Sequence, residues 1–509
     1  MGYLRTLLLW NASATHPFFL ALVLCIMAGL TIALVLRPGL YLPLLLFTSP
    51  LPKLFTIGSY TIESAALTAA PGFSVVDMVL AAGILALAFR RWRTQAAPES
   101  RAFGRAMVLW SCSVLLSVFI GILVWSEIYR IIYLAYAIRY ILTLASFGVA
   151  AQFVGRCDES SLRKLLRGLA LAGNTTILLG LVYYFEFGSA AGGARGINLF
   201  MSADASAALA RSYFWFFDYG NDMGYFASLV GVLNAILLSD RRNSALGVLN
   251  AAGLLGCVTT CLLIGERADL LVMAVAFGYF IWETSKLRHR SVRVSAVFQV
   301  ACVAAIVVAC AVTFSVIAPE FINRKLQGSV GLNANLDDSA ALMASVGVPE
   351  GIVSTVISLP IGDFAGRLSL NVAGLWYFSR HVEGVGFWGQ LEAAGFYSHH
   401  EFVTIAIEQG VPGIAALAFL LVRLKRLLWS GRNLPGSAGQ LNVLLRAISL
   451  GLFTAMVMAN TVLLDMKFML VYWTLVGVWS VVPREPGRLN PTITRSNQVP
   501  QREIASARI

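Results

Sequence analysis

The chain has 509 residues, 58% of them hydrophobic and 13% charged, about half the charged share of an ordinary soluble domain. Apolar runs of about 20 residues recur along it, the length that crosses a bilayer, which excludes a soluble enzyme. The net charge of +12 therefore belongs to loops on the cytoplasmic side of a membrane, and no basic stretch interleaved with aromatics points to nucleic acid.

The seven cysteines are Cys25, Cys112, Cys157, Cys257, Cys261, Cys302 and Cys310. None lies beyond residue 310, so the late part of the chain has no disulfide framework. Cys257 and Cys261 share a helix face, but no histidine or carboxylate in that span completes a metal site, and they read as small buried thiols. The first apolar run, 18–36, leads directly into a second and reads as a retained span. Arg37-Pro38-Gly39 punctuates it. Residues 40–55 are apolar but broken by Pro43, Pro50 and Pro52, and residues 56–73 read as a loop of polar and small residues. After a span at 74–89, Arg90, Arg91, Arg93, Arg101 and Arg105 fix a cytoplasmic loop.

Parity follows from that anchor. Spans are expected at 106–125, 131–154, 168–187, 222–238, 245–264, 270–282, 295–317, 412–428, 444–460 and 468–482. Every basic cluster then falls on one side. The total is about 12–13 spans, depending on whether residues 40–55 cross or re-enter. The chain divides into a membrane bundle at 1–317 with a short outer loop at 188–219, a large outer loop at 318–400, closing membrane helices at 401–482, and a tail at 483–509 whose Arg, Pro, Asn and Gln content predicts disorder in the cytoplasm. Charged residues inside spans are few. Glu127, Arg130, Arg139, Glu186 and Arg446 are the nearest cases, and all are expected near span ends.

The outer loop of about 80 residues is too long for a connector. It holds His381, His399 and His400, three of the five histidines. Residues 366–379 are amphipathic at helical spacing, with Leu368, Val372, Leu375 and Trp376 on one face. Gly384, Val385 and Gly386 make a turn. A short helix is expected at 399–409, with Gly410 as its stop and Pro412 opening the membrane helix that follows. A histidine at such a boundary can deprotonate a hydroxyl. Arginines can grip a diphosphate bidentately, and the candidates are Arg367, Arg267, Arg195 and Arg211. For Arg211 and Arg380 a solvated or ion-paired role is the alternative. His399 and His400 diverge by about 100° on a helix, so they do not share one metal ion.

At these residues the chain resembles the O-antigen ligase and O-antigen polymerase superfamily of bacterial envelopes. The family shows an arginine, a Gly-x-Gly turn, a histidine usually followed by asparagine, and a helix ending in Gly-Leu-x-Gly. Here Arg367, Gly384 and Gly386, His399, and Gly410 to Gly413 look like those parts, and His400 stands where asparagine is usual. Gly265-Glu266-Arg267-Ala268 looks like the family's small-residue–arginine motif, and Gly220-Asn221-Asp222, with Arg195 before it, like the polar start of a span.

The resemblance implies an all-α polytopic, GT-C-like fold in the bacterial inner membrane with its site facing the periplasm. It implies a metal-independent inverting glycosyltransferase with no cofactor. His399 and Arg367 would be catalytic, Arg267 and Arg195 would bind diphosphate, and His400, Gly384 and Gly386 would support them. The partners would be an undecaprenyl-diphosphate-linked glycan donor, a glycan or lipid A core acceptor, the bilayer and a chain-length regulator. A repeat-unit polymerase is favoured over a ligase of finished chains. A transporter or flippase is the competing class, and charges deep in the spans would mark it.

Overall fold

The computed structural model describes residues 17–49, 53–56, 60–62, 67–69, 72–90, 98–127, 132–154, 158–187, 220–239, 247–264, 267–287, 336–358, 363–396, 398, 400–430, 434–457, 462–463 and 466–482. The expected outer loop at 188–219, the span at 295–317 and the tail at 483–509 lie outside the described residues.

The chain opens with α1 (Pro17–Leu36), a 3-10 turn (Pro38–Leu40) and α2 (Tyr41–Thr48). Arg37 precedes a proline and takes an extended conformation (φ −133°, ψ 77°), which ends α1. The helices on either side bend by 118°, so α2 does not continue the direction of α1. Where the sequence reads as a plain loop, the structure instead has two antiparallel ladders. β1 (Lys53–Thr56) pairs with β4 (Gly72–Ser74), and β2 (Tyr60–Ile62) pairs with β3 (Leu67–Ala69) inside them. The threonines and aromatics among these short polar runs suit a pleated pair.

The bundle then runs through α3 (Val75–Arg90), α4 (Pro98–Val124), α5 (Ile132–Val154), α6 (Glu159–Phe187), α7 (Gly220–Leu238), α8 (Gly247–Ile264) and α9 (Arg267–Leu287). A layer of shorter helices follows: α10 (Leu336–Ser345), α11 (Glu350–Ile357), α12 (Asp363–Arg380) and α13 (Gln390–Ala394). The chain returns through α14 (Glu401–Trp429), α15 (Gly436–Val457) and α16 (Met466–Ser480). Among the described residues, five helices are long and apolar enough to cross a membrane, or six if the bent pair counts as one span. On α4, Leu116, Phe119 and Leu123 form an exposed apolar stripe, the face a bilayer covers. With the ladders as its one β element among the described residues, the protein is an all-α multi-pass membrane protein.

Two buried clusters organise these helices. The larger runs through the bundle, and α5 packs on α16, α4 on α14, and α9 on both α7 and α15. The smaller joins the short-helix layer to the start of α14 through Met343, Val356, Ala373, Phe396, Val403 and Ile407. Close backbone approach relies on small residues: a Cβ on Gly173 would stand 2.5 Å from Val230, and one on Gly451 would stand 2.7 Å from the Val272 carbonyl. Buried amides pair across helices, with Asn234 donating to Asn174 at 2.7 Å and Asn174 donating back at 3.2 Å.

Two expectations about charge are corrected. Arg139 and Arg446, expected near span ends, lie inside the bundle. Arg139 is buried and lies 3.5 Å from Asp77. Arg446, midway along α15, is fully buried 3.2 Å from Glu283 of α9, with its guanidinium 5.6 Å from the Tyr279 ring and 5.8 Å from the Trp429 ring. Each partner lies on another helix, so neither pairing can be read from local sequence. Arg446→Met alone removes the cation beside a buried carboxylate and is expected to cost about 3–5 kcal/mol, whereas the double variant Arg446→Met with Glu283→Leu recovers most of the loss. Thermal unfolding of the detergent-purified proteins measures both, and equal losses in the single and double variants would refute the account.

Candidate functional site

The site is built on a break in α14. Gly410 has φ 66° and ψ −161° inside an otherwise helical run, two residues before Pro412. The break frees two carbonyls, and the turn after α12 takes them. Val385 N–H donates to the Ile407 carbonyl at 2.9 Å and Gly386 N–H to the Glu408 carbonyl at 3.0 Å. Val411 N–H donates to the Val382 carbonyl at 3.0 Å. Gly384 (φ 89°) and Gly386 (φ 104°) supply the left-handed conformations of that turn. A Cβ on Gly384 would stand 2.7 Å from the Glu408 oxygen, and one on Gly410 would stand 2.5 Å from the Glu383 carbonyl. The two segments therefore touch backbone to backbone.

Side chains from the bundle complete the joint. On α4, Ser117 Oγ donates to the Glu408 carbonyl at 2.7 Å, and Ser113 Oγ to Gln409 Oε1 at 3.1 Å. Beyond the turn, Phe387 is fully buried 5.3 Å from the Tyr140 ring, and Trp388 stacks on Tyr136 at 4.9 Å, both on α5. Trp110 Nε1 donates to the Tyr140 hydroxyl at 2.9 Å. The Gly-Val-Gly-Phe-Trp run is a plug seated between α4, α5 and α14.

The start of α14 is pinned as tightly. The helix opens at Glu401 with His400 as its cap, two residues later than the sequence suggests. His400 N–H donates to Ser398 Oγ at 3.2 Å, and Ser398 Oγ donates to Asn371 Oδ1 on α12 at 3.1 Å. Thr404 Oγ1 donates to the Ser398 carbonyl at 2.8 Å. His400 Nε2 lies 3.1 Å from the Val457 carbonyl at the end of α15. Glu401, fully buried, accepts a hydrogen bond from Leu463 N–H at 2.9 Å. The chain on both sides of position 399 is thus tied to α12, to α15 and to the segment after it. Burial holds the His400 imidazole below the usual histidine range, against the opposing effect of its bond to the Val457 carbonyl.

His399 and Arg195 lie outside the described residues, as does Arg211. The backbones of the other two candidates are placed. Arg367 lies on α12 one turn before Asn371, the residue that Ser398 reaches. Arg267 is the first residue of α9. The contacts Val272–Gly451 and Glu283–Arg446 show α9 and α15 running antiparallel. From the first contact, the start of α9 and the end of α15 each lie about 8 Å further on, at one level. Arg267 therefore shares an end of the bundle with Val457 and so with His400. The start of α7, which carries Gly220-Asn221-Asp222, meets α9 at that end, because Gly224 packs directly on Asp269, and Cys261 Sγ of α8 donates to the Gly224 carbonyl at 3.5 Å.

Two other loop residues are structural. The Arg380 guanidinium donates to the carbonyls of Val346 and Gly347 at 3.2 and 3.4 Å, fastening the end of α10 to α12. His381 lies between the rings of Tyr377 (4.6 Å) and Trp125 (5.1 Å), with Nδ1 3.6 Å from Glu383. Burial lifts the Tyr377 hydroxyl to about 12, and that hydroxyl donates to the Ala393 carbonyl. Sequence reasoning missed Asn371, Ser398, Glu401, Ser113 and Ser117. Asn371 had a signal, since it follows Arg367 at helical spacing.

No protein-family model matches this chain, and no curated protein is similar to it. The arrangement at the break makes a direct prediction. Gly410→Ala and Gly384→Ala each force a side chain into a left-handed backbone against the facing segment. Each is expected to cost about 1–3 kcal/mol or more in thermal unfolding. The double variant should cost less than their sum, because both damage one contact. Gly395→Ala, also at positive φ (76°) but with open space at Cβ, should be the mildest of the three.

Proposed function

We propose that the protein transfers a glycan from undecaprenyl diphosphate to an acceptor sugar hydroxyl, as a polymerase of surface-polysaccharide repeat units. The observation that carries this reading is the hydrogen bond from Ser398 to Asn371. It joins the residue before His399 to the helix turn that follows Arg367, at the end of the bundle where α9 presents Arg267. A base and two guanidinium-bearing residues at a membrane boundary suit a lipid-linked diphosphate donor. The resemblance to the O-antigen ligase and polymerase superfamily supports the same chemistry.

In this reading the acceptor oxygen bonds to the anomeric carbon as the carbon–oxygen bond to the diphosphate breaks on the opposite face. The configuration inverts. The hydroxyl proton passes to the His399 imidazole, and the negative charge left on the diphosphate is balanced by Arg367, with Arg267 and Arg195. No metal or nucleotide sugar enters the balance. The reading also carries a GT-C-like arrangement of about 12–13 spans, in a bacterial inner membrane with the site facing the periplasm.

Charges deep in the spans are the mark of the competing class, a transporter, and the bundle holds two such pairs. Arg139 and Arg446 each sit within reach of a carboxylate inside the bundle. The cavity of about 450 Å³ that shares Tyr279 and Trp429 with Arg446 is otherwise lined by Val275, Gly278, Trp282 and Leu450, an apolar surface that does not suit an ion.

A positioned base contributes about 10²–10⁴-fold to rate. His399→Ala is therefore expected to abolish nearly all product while the protein accumulates normally in the membrane. The readout is the size of carrier-linked glycans, by mass spectrometry, in a host lacking the gene and carrying each variant. Single repeat units piling up on the carrier indicate a polymerase, and long chains stranded there indicate a ligase. Unchanged carrier-linked glycans on deletion of the gene sink both.

A further inference from the structure

The two ring nitrogens of His400 meet different surroundings. Nε2 lies 3.1 Å from the Val457 carbonyl oxygen, which can only accept, so Nε2 carries a hydrogen. In the neutral ring Nδ1 then holds an in-plane lone pair. That atom is buried and has no hydrogen-bond partner among the described residues. The same contact that fixes the tautomer also fixes the ring. The backbone is held as well, with N–H on Ser398 Oγ and the carbonyl accepting from Thr404 N–H at 2.9 Å. The Phe402 ring stands 5.8 Å away. The lone pair is therefore held in one direction by Val457 of α15 and by the local contacts to Ser398, Phe402 and Thr404, yet it serves no bond among the described residues.

The chemistry of that atom selects its ligand. A neutral aromatic nitrogen accepts a hydrogen bond and offers nothing to a phosphate oxygen, which can only accept in turn. Burial favours the neutral ring. A hydroxyl group is the complementary partner, and position 400 adjoins the residue read above as the base.

We propose that His400 Nδ1 accepts a hydrogen bond from a hydroxyl of the acceptor sugar, making His400 a binding residue that orients the acceptor for His399. The proposal rests on the glycan-transfer reading. It gives the two adjacent histidines separate tasks. One is anchored through Val457 and holds the acceptor, and the other removes a proton from the attacking oxygen.

Two amides separate the ring nitrogens. An asparagine at position 400 puts its amide near the place of Nδ1 and falls short of Val457. A glutamine reaches Val457 and leaves the place of Nδ1 without a polar atom. Each variant is expressed in the host lacking the gene, with membrane abundance checked by immunoblot. Initial rates are then taken in membranes, with carrier-linked glycan extracted from the gene-deleted host as both donor and acceptor. His400→Ala is expected to lower kcat/KM by about tenfold or more, the size of one lost hydrogen bond, with most of the change in KM. His400→Asn should recover a clear part of that loss, and His400→Gln should not.

The reverse ranking would show that the bond to Val457 is what matters and would overturn the proposal. So would equal recovery by both amides, or by neither at normal abundance. Failure of the underlying reading looks different: wild-type membranes would then form no more product than those of the gene-deleted host, or His399→Ala would retain full activity, whatever the His400 variants do.

Discussion

In a bilayer or a packed bundle a helix cannot open without something to take its freed backbone groups. At Gly410 the helix α14 opens, and the turn at 384–386 takes them. Much of the outer architecture depends on that exchange. It converts a long loop into a docked layer, because the donors Val385 and Gly386 are continuous with α12 on one side and with the buried Phe387 and half-buried Trp388 on the other. Only residues without a Cβ fit at Gly384 and Gly410, so the joint is written into the sequence as glycines on both of its faces.

The second constraint lies nine residues earlier in the chain. Ser398, His400 and Glu401 each reach a different segment, so the residues around position 399 are held by α12, α15 and the stretch at 462–463 together. Fixed in this way, a side chain loses little further freedom when a substrate arrives, which is how a site gains from rigid support. The histidine tautomer follows from the same geometry, because the acceptor at Nε2 is a backbone carbonyl.

The membrane character of the chain was legible in its sequence because hydropathy is local, and so was the break in α14, because Gly410 and Pro412 are local stop and start signals. Arg139 and Arg446 show where the reading stops. Each looked like a stray charge at a span end, and each is buried against a carboxylate on a helix far away in the chain. The ladders at 53–74 were hidden for another reason: strands of three or four residues leave too short an alternation to stand out from a polar loop. At the site the glycines and histidines were visible, but the bonds that orient them were not. Ser398 and Asn371 are ordinary polar residues until the fold places them 3.1 Å apart.

The break in α14 also marks a change of environment. Before it, Glu401, Thr404, Glu408 and Gln409 are all buried. That half is enclosed by protein, with α12 close enough that a Cβ on Gly374 would stand 2.5 Å from Val403, and with the serines of α4 on the other side. After it, Val411, Ile414 and Val422 are exposed apolar residues of the kind that face lipid. Carboxylates cannot face hydrocarbon, and an apolar stripe has no use inside a polar joint. A straight helix would carry one of these faces into the wrong medium. Reorienting the chain at Gly410 lets a polar half-helix stay inside the protein while its continuation lies against the bilayer, and the residues that cap the break are those that fix the polar half in place.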